Sequence, residues 1–138
     1  MGRIVALDYG KKRTGIAVSD PLRLIAGGLT TLPSNEIISF LKQFVAENSV
    51  DIFVLGDPRQ MNYEPSENRE RVLKFKKDLQ RTFPDINIQM VDERFTSLLA
   101  HQAMIAGGLK KKDRQNKALV DELSATILLQ SFLETNRA

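Results

Sequence analysis

Residues 3–19 read RIVALDYGKKRTGIAVS, and this stretch decides the fold. Its two apolar, β-branched halves predict short buried strands at residues 3–8 and 14–19, and the polar turn between them predicts a hairpin. The first strand ends on an acid, Asp8. An Asp at a turn often only hydrogen-bonds nearby backbone amides, so Asp8 taken alone favours a structural and a chemical role equally.

The remainder of the chain alternates between helical and extended patterns. Strands are predicted at residues 24–32, 50–55 and 86–91, and helices at 37–45, 66–83, 97–105 and 117–134. Residues 33–36, Pro-Ser-Asn-Glu, are expected to cap the first helix. This order predicts one α/β domain, residues 1–138, whose mixed five-stranded sheet has three antiparallel and then parallel strands and is flanked by helices.

The composition excludes several kinds of chemistry. The chain has no cysteine and one histidine, His101, which excludes thiolate zinc sites and disfavours histidine-rich metal clusters and catalytic triads. No stretch approaches the ~20 apolar residues of a membrane span and no signal-peptide core is present, so we expect a cytoplasmic protein with no membrane partner. A net charge of +3 supports a polyanionic partner only where the positive residues cluster.

Acidic residues follow two of the predicted strands. In open α/β sheets ligands bind outside the carboxyl ends of the strands, where Asp8 and the pair Asp92-Glu93 are expected. The pair precedes Arg94, so it could equally be a helix cap with a local ion pair. The pattern alone does not choose between Asp92 and Glu93.

The last predicted helix contributes a third acid. Asp121 shares a helical stripe with three apolar residues that should face the sheet: Ala125, Leu128 and Phe132. Ser124 and Ser131 are expected on the more polar side. An inward acid is costly unless a cation or hydrogen-bond donors compensate it. Periodicity does not separate Asp121 from its neighbour Glu122.

Converging carboxylates suit Mg²⁺ or Mn²⁺, hard ions that prefer oxygen ligands and keep positions open for water and phosphate. Two such ions would activate a water on one side of a phosphodiester and stabilise the leaving oxygen on the other. This chemistry needs neither Cys nor His. The residues therefore favour a metal-dependent nuclease.

Three motifs together resemble the YqgF/RuvX family: ALDYGKKRTGIAVSD at 6–20, VDERFTS at 91–97 and VDELSATILLQ at 120–130. Its members are regarded as Holliday-junction resolvases and as nucleases that mature the precursor of 16S ribosomal RNA. The resemblance spans nearly the whole chain and implies a ribonuclease-H-like fold. It also implies metal ligands at Asp8, Glu93 and Asp121, one per motif, and a phosphate contact by Lys12 or Arg13.

Further basic residues are expected to bind the nucleic-acid backbone: Arg94, Lys110, Lys111, Lys112 and Arg114. Tyr9 and Tyr63, the few aromatic residues available for stacking, are expected in loops near strand ends. The charges of residues 64–81 alternate in sign, so that helix is expected to be mainly soluble surface. Asp57 departs from the family pattern. It could alter substrate preference or metal affinity, or simply face solvent, and we expect it to face solvent.

The favoured function is an endonuclease that processes the 16S ribosomal RNA precursor, with structured RNA as its partner. The alternative is a resolvase of branched DNA, which would need two active sites and therefore a homodimer. Two further alternatives share the fold or the first hairpin. One is a nucleotide-binding domain of the actin and sugar-kinase kind, which normally needs two such domains, and the other is a non-catalytic RNA-binding module.

Overall fold

A computed structural model describes residues 2–22, 26–57, 67–92 and 117–135. Within these ranges five strands form: β1 Arg3–Tyr9, β2 Arg13–Ser19, β3 Ala26–Pro33, β4 Val50–Asp57 and β5 Asn87–Asp92. The α-helices in the same ranges are α1 Ile37–Glu47, α2 Glu67–Thr82 and α3 Lys117–Thr135. The helix predicted at 97–105 lies outside the described residues, as do His101 and Tyr63.

The strands form one sheet in the order β3-β2-β1-β4-β5. The first three pair antiparallel, and β1, β4 and β5 pair parallel. This arrangement confirms the predicted mixed five-stranded sheet. The two parallel pairings require crossover connections, and α1 and α2 lie in the segments that make them.

The two faces of the sheet are covered by different helices, because side chains alternate between the faces along each strand. Val5 and Leu7 of β1 share a buried core with apolar residues of α1 and α2: Ile37, Leu41, Val72, Phe75 and Leu79. Ile4 and Ala6, on the other face, share a second core with α3. The central strands are therefore apolar on both faces, as their near-continuous hydrophobic runs indicate.

Small side chains allow α3 to lie close to the sheet. Ala6, Ala17 and Ala125 meet in the second core, and α3 packs over β1, β2 and β3. At Gly28 of β3 an added Cβ would lie 2.6 Å from Oε1 of Glu122, so only a glycine leaves room for that side chain where it stands. The approach of helix to sheet is therefore set by alanine and glycine.

The buried stripe of α3 is wider than the sequence predicts. Ala125, Leu128 and Phe132 are buried, as predicted, and Ser131 is exposed. Ser124 is only 3% exposed, so its expected place on the polar side is wrong. Its small side chain is buried together with those of Leu128 and Leu129. The buried face of α3 is therefore wider than the single stripe of Ala125, Leu128 and Phe132.

The first helix is not capped as expected. Ser34–Glu36 form a 3₁₀ turn rather than an N-cap box, and neither the turn nor α1 has a side-chain cap hydrogen bond. The hydroxyl of Ser34 instead donates to the main-chain oxygen of Gly10, in the turn between β1 and β2. A long-range hydrogen bond has thus replaced the local one.

Candidate active site at the carboxyl edge of the sheet

Three aspartates lie at one edge of the sheet. Because β1, β4 and β5 are parallel, their carboxyl ends meet at the same edge, with Asp8 next to last in β1 and Asp57 and Asp92 the last residues of β4 and β5. Asp57 and Asp92 are register partners. This edge is where ligands bind in open α/β sheets.

Asp8 is flanked by glycines on both neighbouring strands. Its partner across the β1–β2 pair is Gly15. On the other side of β1, Leu7 pairs with Leu55 of β4, so the next residue of β4, Gly56, lies beside Asp8. Both glycines are buried, whereas Asp8 is half-buried. No neighbouring-strand side chain therefore crowds this carboxylate in its row of the sheet.

The carboxylate of Asp8 belongs to the α3 face. Ile4 and Ala6 belong to the core beneath α3, and Asp8 follows them at the two-residue spacing that keeps one face of a strand. The backbone of Asp121 lies in α3, four residues before Ala125, which is buried in that same core. The first strand and the last helix thus meet on the face that carries Asp8.

Glu122 is directed toward a different strand. Its side chain covers Gly28 of β3, and β2 lies between β3 and β1. Two strand spacings separate β3 from β1 by roughly 10 Å. The carboxylate of Glu122 therefore stands beside the edge strand rather than beside Asp8.

Asp57 is buried and ion-paired, so the expectation that it faces solvent is wrong. It follows Phe53 and Leu55 on the face covered by α2 and is 6% exposed. Arg69 of α2 donates from Nε to its Oδ1 at 2.8 Å. A buried carboxylate needs such a partner, and the guanidinium supplies it. Asp57 is thereby held on the opposite face from Asp8.

Tyr9 lies in β1 and not in a loop, which corrects its expected position. Its ring stacks on Phe75 of α2 with centroids 4.2 Å apart and planes 15° apart. Burial, and secondly the negative charge of Asp78, raise the pKa of the Tyr9 hydroxyl above its ordinary value of 10.0, while Arg71 opposes the rise. One face of the ring is thus occupied by Phe75 and is not open to a base.

The turn after β1 is basic. Lys11 and Lys12 form the two-residue loop of the β1–β2 hairpin and are exposed, while Arg13 is half-buried at the start of β2. Lys11 is three residues after Asp8, so positive charge lies beside the carboxyl end of β1. The same hairpin therefore places an acid and exposed cations close together in the chain, and exposed cations attract polyanions.

Comparison with known proteins agrees with this architecture. Residues 2–135 match the RuvX family, described as Holliday junction resolvase. The chain belongs to the RuvX family. It is 58% identical over 137 residues to a Bacteroides fragilis protein named "Putative pre-16S rRNA nuclease", covering 99% of each chain. A Flavobacterium psychrophilum protein of the same name is 53% identical over 133 residues, covering 96% of this chain and 97% of the relative.

The fold also matches a solved structure. T. thermophilus RuvC in complex with a Holliday junction substrate has a TM-score of 0.59 at 15% identity, and the match covers 99% of this chain and 97% of that one. At this identity the likeness shows the fold alone, which is ribonuclease-H-like. The family match favours a nuclease over the actin and sugar-kinase alternative.

Several predicted site residues lie outside the described part of the chain. They are Glu93, Arg94, Lys110, Lys111, Lys112 and Arg114, and the side chain of Asp121 is likewise outside it. Among the side chains that are described, no three His, Asp or Glu groups form a metal site. None of the described helices is long and apolar enough to span a membrane.

Sequence reasoning missed two features of this edge. The partner of Asp57 is Arg69, in the first turn of α2 and twelve residues further along the chain. Thr14 and Ser34, both buried, form a hydroxyl pair beneath the basic turn. The signals available in the sequence were weak. One is an acid at a strand end that precedes a helix with an arginine in its first turn, and the other is two hydroxyl residues far apart in the chain. Both patterns occur in many unrelated sequences.

Proposed function

We propose that this chain, a nuclease of the RuvX family, hydrolyses phosphodiester bonds in the precursor of 16S ribosomal RNA. The observation that carries the proposal is the setting of Asp8, a half-buried acid at the carboxyl edge between Gly15 and Gly56. The choice of RNA is supported by relatives that are 53% and 58% identical over nearly their whole length and carry that name.

The residues fit a divalent metal. Asp8 is proposed as its first ligand, with Glu93 and Asp121 completing the set. Val91 of β5 packs against the core beneath α3, and Glu93 is two residues further along the sequence. Asp121 precedes the buried Ala125 by about one helical turn. An all-oxygen set suits Mg²⁺ or Mn²⁺, proposed as two ions, which when bound supply an activated water and stabilise the leaving oxygen.

The chain's own residues orient the substrate. Lys11 and Lys12, exposed beside the end of β1, bind phosphate oxygens of the strand to be cut. The absent side chains at Gly15 and Gly56 leave room for a phosphate against Asp8. Arg13, Arg94, Lys110, Lys111, Lys112 and Arg114 are proposed to extend this contact along the backbone. Since these contacts are to phosphates, they fix the position of the substrate rather than its sequence.

A cleavage assay on 16S ribosomal RNA precursor, with Mg²⁺ and Mn²⁺ titrated separately, tests the proposal. Asp8→Asn keeps the side-chain volume but removes the charge, and we expect cleavage to fall roughly 100-fold to 1000-fold, the scale of losing one electrostatic contact to the transition state. Asp85→Asn is the matched control, because Asp85 is exposed and lies between α2 and β5. Cleavage that survives Asp8→Asn would assign the activity to another site or a contaminant.

Resolution of Holliday junctions is the second candidate, favoured by the description of the matching family. Cutting two strands of a junction requires two active sites, so this function requires a homodimer. Sedimentation with a four-way DNA junction gives the stoichiometry, and cleavage of that junction is compared with cleavage of the RNA precursor. A monomer on the junction, or junction cleavage no faster than duplex cleavage, would exclude this candidate.

A further inference from the structure

A single residue holds two carbonyl groups of the basic turn. The hydroxyl of Ser34 donates to the oxygen of Gly10 at 2.5 Å, and the amide of Ser34 donates to the oxygen of Lys12 at 3.0 Å. The turn is also closed from within, because the amide of Gly10 donates to the oxygen of Arg13 at 3.1 Å. Ser34 thus fixes both ends of the Lys11–Lys12 loop.

Thr14 completes this hydrogen-bond chain. Its Oγ1 lies 2.9 Å from Oγ of Ser34. A serine hydroxyl has one proton, and that of Ser34 is given to Gly10, so Thr14 is the donor in this pair. Thr14 is 0% and Ser34 8% exposed. Burial removes the competition of water, and the chain from Thr14 through Ser34 to Gly10 therefore defines one orientation of the turn.

This orientation directs an amide group outward. A trans peptide is planar and holds its N–H opposite its C=O. Since the Gly10 oxygen points at Ser34, the amide of Lys11 points away from Ser34. Lys11 and Lys12 also expose their side chains. The turn therefore exposes two lysine side chains and directs one main-chain donor away from Ser34.

Gly10 gives independent evidence that the conformation of the turn is tightly set. A Cβ added at Gly10 would lie 2.7 Å from the main-chain oxygen of Arg13, a distance that forces the backbone to shift. The main-chain oxygen of Arg13 is the acceptor that closes the turn, so it cannot move without breaking that hydrogen bond. The turn is thus confined by a glycine on one side and by Ser34 on the other.

From these contacts we infer that Ser34 and Thr14 are positioning residues, which hold the Lys11–Lys12 turn in the form that binds substrate phosphate. The inference rests on the proposed nuclease function and adds two residues to it. Neither hydroxyl contacts the substrate, and both act through the turn. A phosphate held equally in the ground state and the transition state affects KM and leaves kcat unchanged.

The test compares cleavage kinetics of Ser34→Ala, Ser34→Thr and Thr14→Val in the full chain. Loss of one buried hydrogen bond should raise KM about fivefold in Ser34→Ala, with kcat within about twofold, and Ser34→Thr should restore KM. Ser39→Ala is the matched control, since Ser39 is exposed on α1. Thr14→Val keeps the volume of Thr14 and should also raise KM. This variant tests the inference if Ser34→Ala does not fold.

A double-mutant cycle separates this role from a merely structural one. In a Lys11→Gln, Lys12→Gln background, Ser34→Ala should leave KM and the salt dependence of binding unchanged, because the groups that it positions are already absent. Equal effects of Ser34→Ala in both backgrounds would overturn the inference, as would a wild-type KM in Ser34→Ala. The proposed function is tested separately. It is supported in either case if the wild-type protein cleaves the substrate and Asp8→Asn abolishes that cleavage.

Discussion

Arg69 and Asp57 join the start of α2 to the end of β4 through one charged hydrogen bond of 2.8 Å. Asp57 is 6% exposed, and the side chain of Arg69 is 24% exposed. The pair therefore lies in a partly dry environment, where removing one charge deprives the other of this hydrogen-bonded partner.

Arg69→Ala should destabilise the fold by about 2 to 3 kcal/mol, because it leaves the carboxylate of Asp57 buried without its cation. The double variant Asp57→Leu, Arg69→Leu should be within about 1 kcal/mol of wild type, since apolar pairs often replace buried ion pairs without loss. Urea unfolding followed by circular dichroism gives both values. Equal stabilities for Arg69→Ala and the double variant would contradict this account.

Gly15→Ala should reduce cleavage about tenfold or more, because it places a methyl group beside the carboxylate of Asp8 and displaces whatever that carboxylate binds. Alanine restricts the unfolded chain more than glycine does, and the melting temperature shows whether the added methyl group fits at this buried position. Gly27→Ala is the control, because a Cβ at Gly27 meets nothing within 4 Å. kcat and the melting temperature are measured for both variants, and unchanged kcat in Gly15→Ala would argue against the proposed place of the substrate.

Glu122→Gln should retain cleavage within about twofold, as for a surface substitution away from the chemistry, whereas Asp121→Asn should lose it as Asp8→Asn does. The physical reason is that Glu122 lies over Gly28 of β3, two strands away from Asp8. The two variants differ by one position in the same helix, so each controls for general damage to α3. Loss in Glu122→Gln with retention in Asp121→Asn would exchange the proposed ligands.

Tyr9 should ionise above pH 10, since burial and Asp78 raise its pKa. The neutral form is favoured in the folded state, so this contribution to stability is complete below about pH 10 and falls as pH rises further. Absorbance titration of a Tyr63→Phe variant isolates Tyr9, because the chain has two tyrosines. Tyr9→Phe should flatten the alkaline loss of stability, and a Tyr9 midpoint at or below 10 would refute the assignment.

Local periodicity predicted the elements that depend on local chemistry. The hairpin of the apolar strands β1 and β2, and the buried stripe of α3 at Ala125 and Leu128, both formed as predicted. Asp57 was placed wrongly because its burial depends on Arg69, in another element. The local expectation for Tyr9 failed for a similar reason, since pairing with Thr14 extends β1 by one residue beyond the predicted end.

In the candidate site, too, local patterns predicted some positions, whereas others depend on contacts between distant elements. The place of Asp8 follows from strand alternation, and periodicity put Asp121 and Glu122 in the last helix without separating them. The structure describes the side chain of Glu122, which lies against Gly28, where the missing Cβ leaves room for it. Ser34 was expected to cap a helix, and its bond to Gly10 joins residues 24 apart. Contacts of this range depend on the assembled sheet and leave no periodic signal.

Because side chains alternate along β1 and β4, neighbouring positions of one strand lie on opposite faces of the sheet and meet different surroundings. Asp8 and Gly15 belong to a row on the face proposed to bind the substrate, whereas Asp57 belongs to a row on the opposite face, where Arg69 of α2 pairs with it. Replacing this ion pair by apolar side chains should therefore leave the proposed reaction on the other face of the sheet unchanged. For protein engineering, stability and cleavage can accordingly be tuned at alternate positions of the same strand.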